Sequence, residues 1–182
     1  MSNPLHAEIR ELVDRIARIG QAGEWEGDLN PTQRAALAYL SRANRFSRSP
    51  SHVADYLSAT RGTVSQTLKA LARKGYVEEV RSALDRRSIS YKVTDKGLEA
   101  TAFDTDIGAA LAHYGETEAA ELAAALKQLV ARLIAVRGGR GFGTCRTCRH
   151  HRRNPTGLYC DLLKVDLKPH EADRICHEHR AA

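Results

Sequence analysis

The sequence lacks the marks of secretion, of a membrane span and of catalysis. Met1-Ser2-Asn3-Pro4-Leu5-His6 has no basic stretch leading into an apolar one, so export is not expected. The most apolar run, residues 119–136, contains Glu121, Lys127 and Arg132. Those charges would be costly in hydrocarbon, so the run is expected to form a water-exposed amphipathic helix in a cytoplasmic protein without a membrane partner. There is no phosphate loop, HExxH zinc motif or nucleophile–base pair, and an enzyme is not expected. Cysteine is scarce, with 4 in 182 residues, all of them beyond position 144. In a cytoplasmic chain such a cluster favours metal ligands over disulfides.

An apolar content of 42% is enough for a real core and argues against wholesale disorder. The length of 182 residues fits one domain with an appendage or two small domains. A formal charge of +6 favours an anionic partner without naming it.

Leu5, Ile9, Leu12, Val13, Ile16 and Ile19 recur at helical spacing and predict a first helix over roughly 4–20. Asn30-Pro31 is an N-cap followed by proline at the first helical position, which starts a second helix through Leu40. Ser51 is expected to cap a short third helix over 52–57. Thr60 is expected to cap a fourth, which ends at Gly75. Val77–Arg81 and Ser88–Val93 read as two strands joined by a polar turn. Thr94 opens a further helix carrying Gly97, Leu98, Ala102, Ile107 and Leu111. Gly115-Glu116 breaks it, and a last helix is expected from Thr117 to about Val136.

Within the fourth helix Val64, Leu68 and Leu71 fall at i, i+4 and i+7 and should face the core. Arg61, Thr63, Ser65, Gln66, Lys69 and Arg73 are left as the candidate DNA-reading residues. A helix enters the major groove only if its outer face is polar and its inner face is held by a core. The turn Asp85-Arg86-Arg87 adds two guanidinium groups for phosphates or a narrow minor groove. Asp85 would orient one arginine rather than touch DNA, since phosphate repels a carboxylate.

The residues Thr63-Val64-Ser65 with Leu71, then Lys74-Gly75-Tyr76-Val77, and the stretch from Asp85-Arg86-Arg87 through Val93-Thr94-Asp95-Lys96-Gly97, resemble the MarR family of winged helix-turn-helix regulators. The resemblance covers residues 4–137. It implies a mainly α fold with a small β-wing, and a homodimer formed by the N-terminal and last two helices. It further implies double-stranded DNA carrying an inverted repeat, and release, usually from repression, by a small molecule, metal or oxidant. Gly62 departs from a good first helical turn, at up to about 1 kcal/mol against alanine.

Gly138–Gly143 reads as a glycine-rich linker, followed by a cysteine-rich tail over 144–182. Cys145, Cys148, Cys160 and Cys176 stand at C-x2-C-x11-C-x15-C, a knuckle and two further thiolates able to complete a tetrahedron. Leu158, Leu162, Leu163, Val165, Leu167 and Ile175 are too few to fold the tail alone, and a bound metal would supply the difference. Zn2+ is the favoured ion, with an iron–sulfur cluster the alternative and a thiol switch a third reading. His150, His151, His177 and His179 flank the cysteines as possible replacement ligands. The site is structural or senses metal or redox state, with Arg146, Arg149 and Arg152 near the thiolates. A protein–protein adaptor that uses the winged helix and zinc tail without DNA is the competing function.

Overall fold

The computed structural model describes residues 3–22, 27–81, 89–102, 106–139, 141–155 and 157–182. The expected wing tip, Asp85, Arg86 and Arg87, lies outside the described residues. Helix α1 spans Pro4–Ala22, α2 Pro31–Arg42, α3 Pro50–Leu57 and α4 Arg61–Arg73. Strands β1 (Val77–Arg81) and β2 (Ile89–Val93) follow, then helices α5 (Asp95–Glu99), α6 (Asp106–Leu111) and α7 (Glu116–Val136).

Local chemistry sets the ends of these helices. The Asn30 side chain accepts from the Gln33 amide at 2.9 Å while the Gln33 side chain accepts from the Asn30 amide at 3.3 Å, a reciprocal cap with Pro31 at the first position. The expected cap of α3 is corrected by two residues. Ser49, not Ser51, accepts from the His52 amide at 3.3 Å. Pro50 explains the shift, because its fixed φ and missing N–H suit the first helical position. Thr60 caps α4 by accepting from Thr63 N at 3.2 Å. The other end closes on Gly75 at φ +77°, with Tyr76 N bonded to Leu71 O and Gly75 N to Ala72 O, both at 3.0 Å.

Leu37, Tyr39, Leu40, Val53, Val64, Leu68 and Leu71 are fully buried where α2, α3 and α4 meet. Each such aliphatic contributes about 1.5–3 kcal/mol by leaving water. The two strands pair antiparallel, Val77 opposite Val93 and Arg81 opposite Ile89, and Val77 and Tyr91 close the core. The helix expected from Thr94 to Leu111 is instead two pieces, α5 and α6. Thr94 does cap α5, accepting from Gly97 N at 3.1 Å. Gly97 is buried so tightly that a Cβ there would stand 2.2 Å from the Tyr76 carbonyl oxygen. The last helix starts one residue earlier than expected, at Glu116, with the Glu118 carboxylate accepting from the Gly115 amide at 3.0 Å.

Helices α1, α6 and α7 leave a different kind of surface. Leu5, Ile9, Leu12, Val13, Ile16 and Ile19 on α1 are each 40–56% exposed, and Leu126, Val130 and Leu133 on α7 are 47–52% exposed. These are the apolar positions of amphipathic helices, and a single chain does not cover them.

From Gly141 the chain returns to the winged helix. Strands β3 (Gly143–Thr144) and β7 (Ile175–Cys176) pair antiparallel, and β4 (His151–Asn154), β5 (Gly157–Cys160) and β6 (Val165–Leu167) form a second small antiparallel sheet. Phe142, within the stretch read as linker, packs edge-on to Tyr39 and Tyr56 at ring-centre distances of 6.1 and 5.0 Å. Ile175 is buried in the same core as Leu40 and Val53.

Candidate DNA interface and cysteine site

The outward face of α4 presents Arg61, Thr63, Gln66, Lys69 and Arg73, all exposed, while Ser65 is half-buried. Beneath them Val64, Leu68 and Leu71 are fully buried, so the polar face rides on a fixed base. Thr67 is buried as well, its hydroxyl donating to the Thr63 carbonyl at 2.9 Å. Thr63 is partly committed to the cap, with its hydroxyl 2.8 Å from that of Thr60. Arg61 stands in the first turn, where a helix entering a groove point-first meets base edges. The strand β1 beside it carries Glu78 and Glu79. Glu79 is tied up by Arg81 at 3.1 Å and by the Tyr91 hydroxyl at 3.3 Å.

In the tail, Cys145, Cys148, Cys160 and Cys176 all line one small pocket, together with His150 and His151. The C-x2-C segment forms a 3-10 turn over Cys145–Thr147, closed by Cys148 N donating to Cys145 O at 3.0 Å. Cys160 sits on β5 opposite His151 of β4, and Cys176 ends β7 opposite Gly143. The neighbouring Cys145 thiol, with help from Asn44 and against the opposing effect of burial, pulls the Cys176 thiol down to about 6. The neighbouring Cys176, reinforced by burial, pushes Cys145 up. Two N–H groups already point at sulfur: Asn44 Nδ2 lies 3.6 Å from Cys145 Sγ and Arg180 N lies 3.5 Å from Cys148 Sγ. Such donors stabilise thiolate ligands. His150 Nε2 and His151 Nδ1 are buried with no hydrogen-bond partner. Even so, as the side chains stand, no group of three or more His, Cys, Asp or Glu among the described residues is arranged to hold a metal ion.

Several of the flanking residues make bonds of their own. Arg146 forms a two-pronged pair with Asp173, 2.8 Å on each arm, and Arg152 pairs with Asp161 at 2.9 Å. Their charges are thus answered by carboxylates. His179 Nε2 bonds the Thr147 hydroxyl at 3.0 Å. His177 is buried, with Nε2 3.0 Å from Asp55 Oδ2 and its ring stacked on His52 at 3.9 Å between centres. Sequence reasoning missed Asn44, Ser47, His52 and Asp55. They lie in or beside the polar corner between α2 and α3, more than 120 residues from His177, with no local pattern to mark them.

Residues 27–88 match the model of the MarR family. The solved structures similar to this chain include S. aureus MepR bound to DNA, 20% identical over 72% of this chain and 99% of its own, with a TM-score of 0.55. Streptococcus pneumoniae FabT in complex with DNA is 26% identical over 72% of this chain and 94% of its own, with a TM-score of 0.51. A MarR/EmrR family regulator from Acinetobacter sp. ADP1 is 24% identical over 71% of this chain and 94% of its own, with a TM-score of 0.54. No curated protein sequence matches this chain. The relatives are nearly complete within the match while more than a quarter of this chain is left over, about the size of the segment from Gly138 onward. The winged-helix part of the chain has the fold of these MarR-family structures.

Proposed function

We propose that this protein is a homodimeric, sequence-specific DNA-binding transcriptional regulator, a repressor, that carries a metal-binding tail. The observation that carries this reading is α4, a capped helix whose exposed Arg61, Gln66, Lys69 and Arg73 stand on a fully buried row of Val64, Leu68 and Leu71. The DNA complexes of MepR and FabT, on the same fold, support it. The open apolar faces of α1 and α7 support dimerisation, because that much contiguous exposed aliphatic surface marks an interaction site. Two copies would set two α4 helices into successive major grooves of an inverted repeat, with centres roughly 34–36 Å apart.

The cysteine site supports Zn2+. Four sulfurs share one pocket, amide donors face two of them, and unpartnered histidine nitrogens line the same wall. Cys145, Cys148, Cys160 and Cys176 would hold the ion as thiolates, and zinc there would clamp the turn, β5 and β7 together without catalytic chemistry. An iron–sulfur cluster would use the same four residues and would betray itself by visible absorption.

Selection from random duplexes, followed by fluorescence anisotropy, tests the reading. An inverted repeat should emerge. Arg86→Ala with Arg87→Ala should weaken binding and reduce the salt slope by about 2, one per lost phosphate contact. No selected sequence and no salt dependence would identify an adaptor instead.

A further inference from the structure

Residues 43–49, the corner between α2 and α3, are held on one side by the cysteine site and hold the DNA-reading unit on the other. On the tail side the Asn44 amide donates to the Ile175 carbonyl at 2.9 Å, and the Asn44 side chain donates to Cys145 Sγ at 3.6 Å. The Ser47 hydroxyl accepts from His177 N at 2.9 Å. Asn44 and Ser47 are only 2% and 1% exposed, so neither bond has water as a ready substitute. On the DNA side the Arg48 carbonyl accepts from Tyr91 N of the wing strand β2 at 3.0 Å, and Ser49 caps α3. His177 reaches past the corner to Asp55 and His52 on α3 itself. Helix α3 in turn packs on α4.

We propose that the Cys145–Cys176 end of the cysteine site controls DNA affinity through this corner: filling the site with Zn2+ fixes α3 and the wing base, and emptying it slackens them. The proposal rests on the metal reading above. Its physical ground is that a structural metal contributes folding free energy to a segment too poor in aliphatics to hold itself. Without that contribution β7 opens more often, and each opening releases Asn44, Ser47 and Asp55 together. Apparent affinity falls by the fraction of molecules that keep the competent corner. The control acts within each chain and needs no change in how two copies are paired.

The experiment titrates Zn2+ alone into chelator-stripped full-length protein. It follows zinc per chain, amide hydrogen exchange over residues 43–57, and affinity for a selected duplex. Zinc should bind one per chain, slow exchange across 43–57, and tighten DNA binding about tenfold, within the usual range of coupling between sites. His177→Phe keeps the aromatic packing but loses the bond to Asp55. It should bind zinc with the same stoichiometry and show a smaller response in both exchange and affinity, because the Asn44 and Ser47 bonds remain. Asp55→Ala removes the acceptor at an exposed position, so it should reduce the response in the same direction and decides the matter if His177→Phe does not fold. Zinc bound with no change in exchange or affinity overturns the control role and leaves the metal reading standing. No zinc bound overturns both. A full zinc response in the folded His177→Phe or Asp55→Ala variant overturns the limb of the route that runs through His177 and Asp55.

Discussion

Replacing Ile175 with alanine tests whether the tail and the winged helix are one cooperative unit. Ile175 lies in the tail, yet it is 6% exposed and belongs to the core built by Leu37, Leu40, Val53 and Leu68. Its carbonyl accepts from the Asn44 amide, and the substitution leaves that bond available. The change removes three carbons, about 2.4 kcal/mol of transfer free energy at roughly 0.8 kcal/mol per methylene. A cavity term that depends on how far the site collapses brings the expected loss to about 2–4 kcal/mol. At about 2–4 °C per kcal/mol for a chain of this size, melting should fall by about 5–15 °C. The assay is thermal unfolding followed by far-UV circular dichroism, which reports mainly α1–α7, with Leu162→Ala as the control. Leu162 is also in the tail but 42% exposed, and its loss should cost under about 1 kcal/mol. A single transition, lowered for Ile175→Ala and nearly unmoved for Leu162→Ala, is expected. An unchanged helical transition in Ile175→Ala would refute the shared core.

Gly97→Ala should destabilise by about 1–3 kcal/mol on thermal melting, since the new Cβ meets the Tyr76 carbonyl oxygen and only a backbone shift relieves it. Trimming Val93, the second neighbour at 2.6 Å, should not rescue it. Asp28 accepts from the Tyr76 hydroxyl at 2.6 Å, and that bond, aided by Lys74 and Lys96, lowers its pKa. A depressed carboxylate stabilises the fold above its unfolded pKa of about 3.9 and loses that contribution as pH falls through the folded value. Asp28→Asn should therefore melt lower than wild type at pH 7, with the gap closing below about pH 4. Leu133→Glu places a charge in the exposed apolar row of α7. Sedimentation should show it shifting the chain from dimer to monomer, with DNA affinity falling in parallel.

The winged-helix half was legible because its information is local. A polar cap, an apolar i, i+4, i+7 row and a glycine at the helix end each act within a few residues, and α2, α4, β1 and the capped start of α5 form where those signals put them. Errors arose where two local signals competed. Ser49 and Ser51 both suit an N-cap, and the proline between them settles it for Ser49. Ala100-Thr101-Ala102 gives no sequence reason for a helix to stop, yet α5 ends at Glu99. The pattern of cysteines was visible, but its neighbours were not. Asn44 meets Cys145 across 101 residues and Asp55 meets His177 across 122, and no spacing rule spans such distances. Arg146 and Arg152, which read as electropositive company for the thiols, are paired with Asp173 and Asp161 in three dimensions.

These long contacts change where the chain divides. A boundary drawn at the glycines treats the tail as a metal-stapled appendage on a flexible tether, with only six aliphatics to its name. The structure instead inserts Phe142 between Tyr39, Tyr56 and His177, and seats Ile175 in the winged-helix core. The linker and the tail thus each lend one large apolar side chain to the core, and the tail draws on that core for the hydrophobic burial it lacks. Stability shared in this way runs in both directions. Anything that stabilises the tail stabilises the corner at Asn44 and Ser47, and anything that fixes the corner, including DNA held by α4, must favour the intact tail by the same free energy. DNA should therefore raise zinc affinity by the factor that zinc raises DNA affinity, and competition with a coloured chelator, with and without the duplex, measures it. A factor of one would mean that the corner does not couple the two sites.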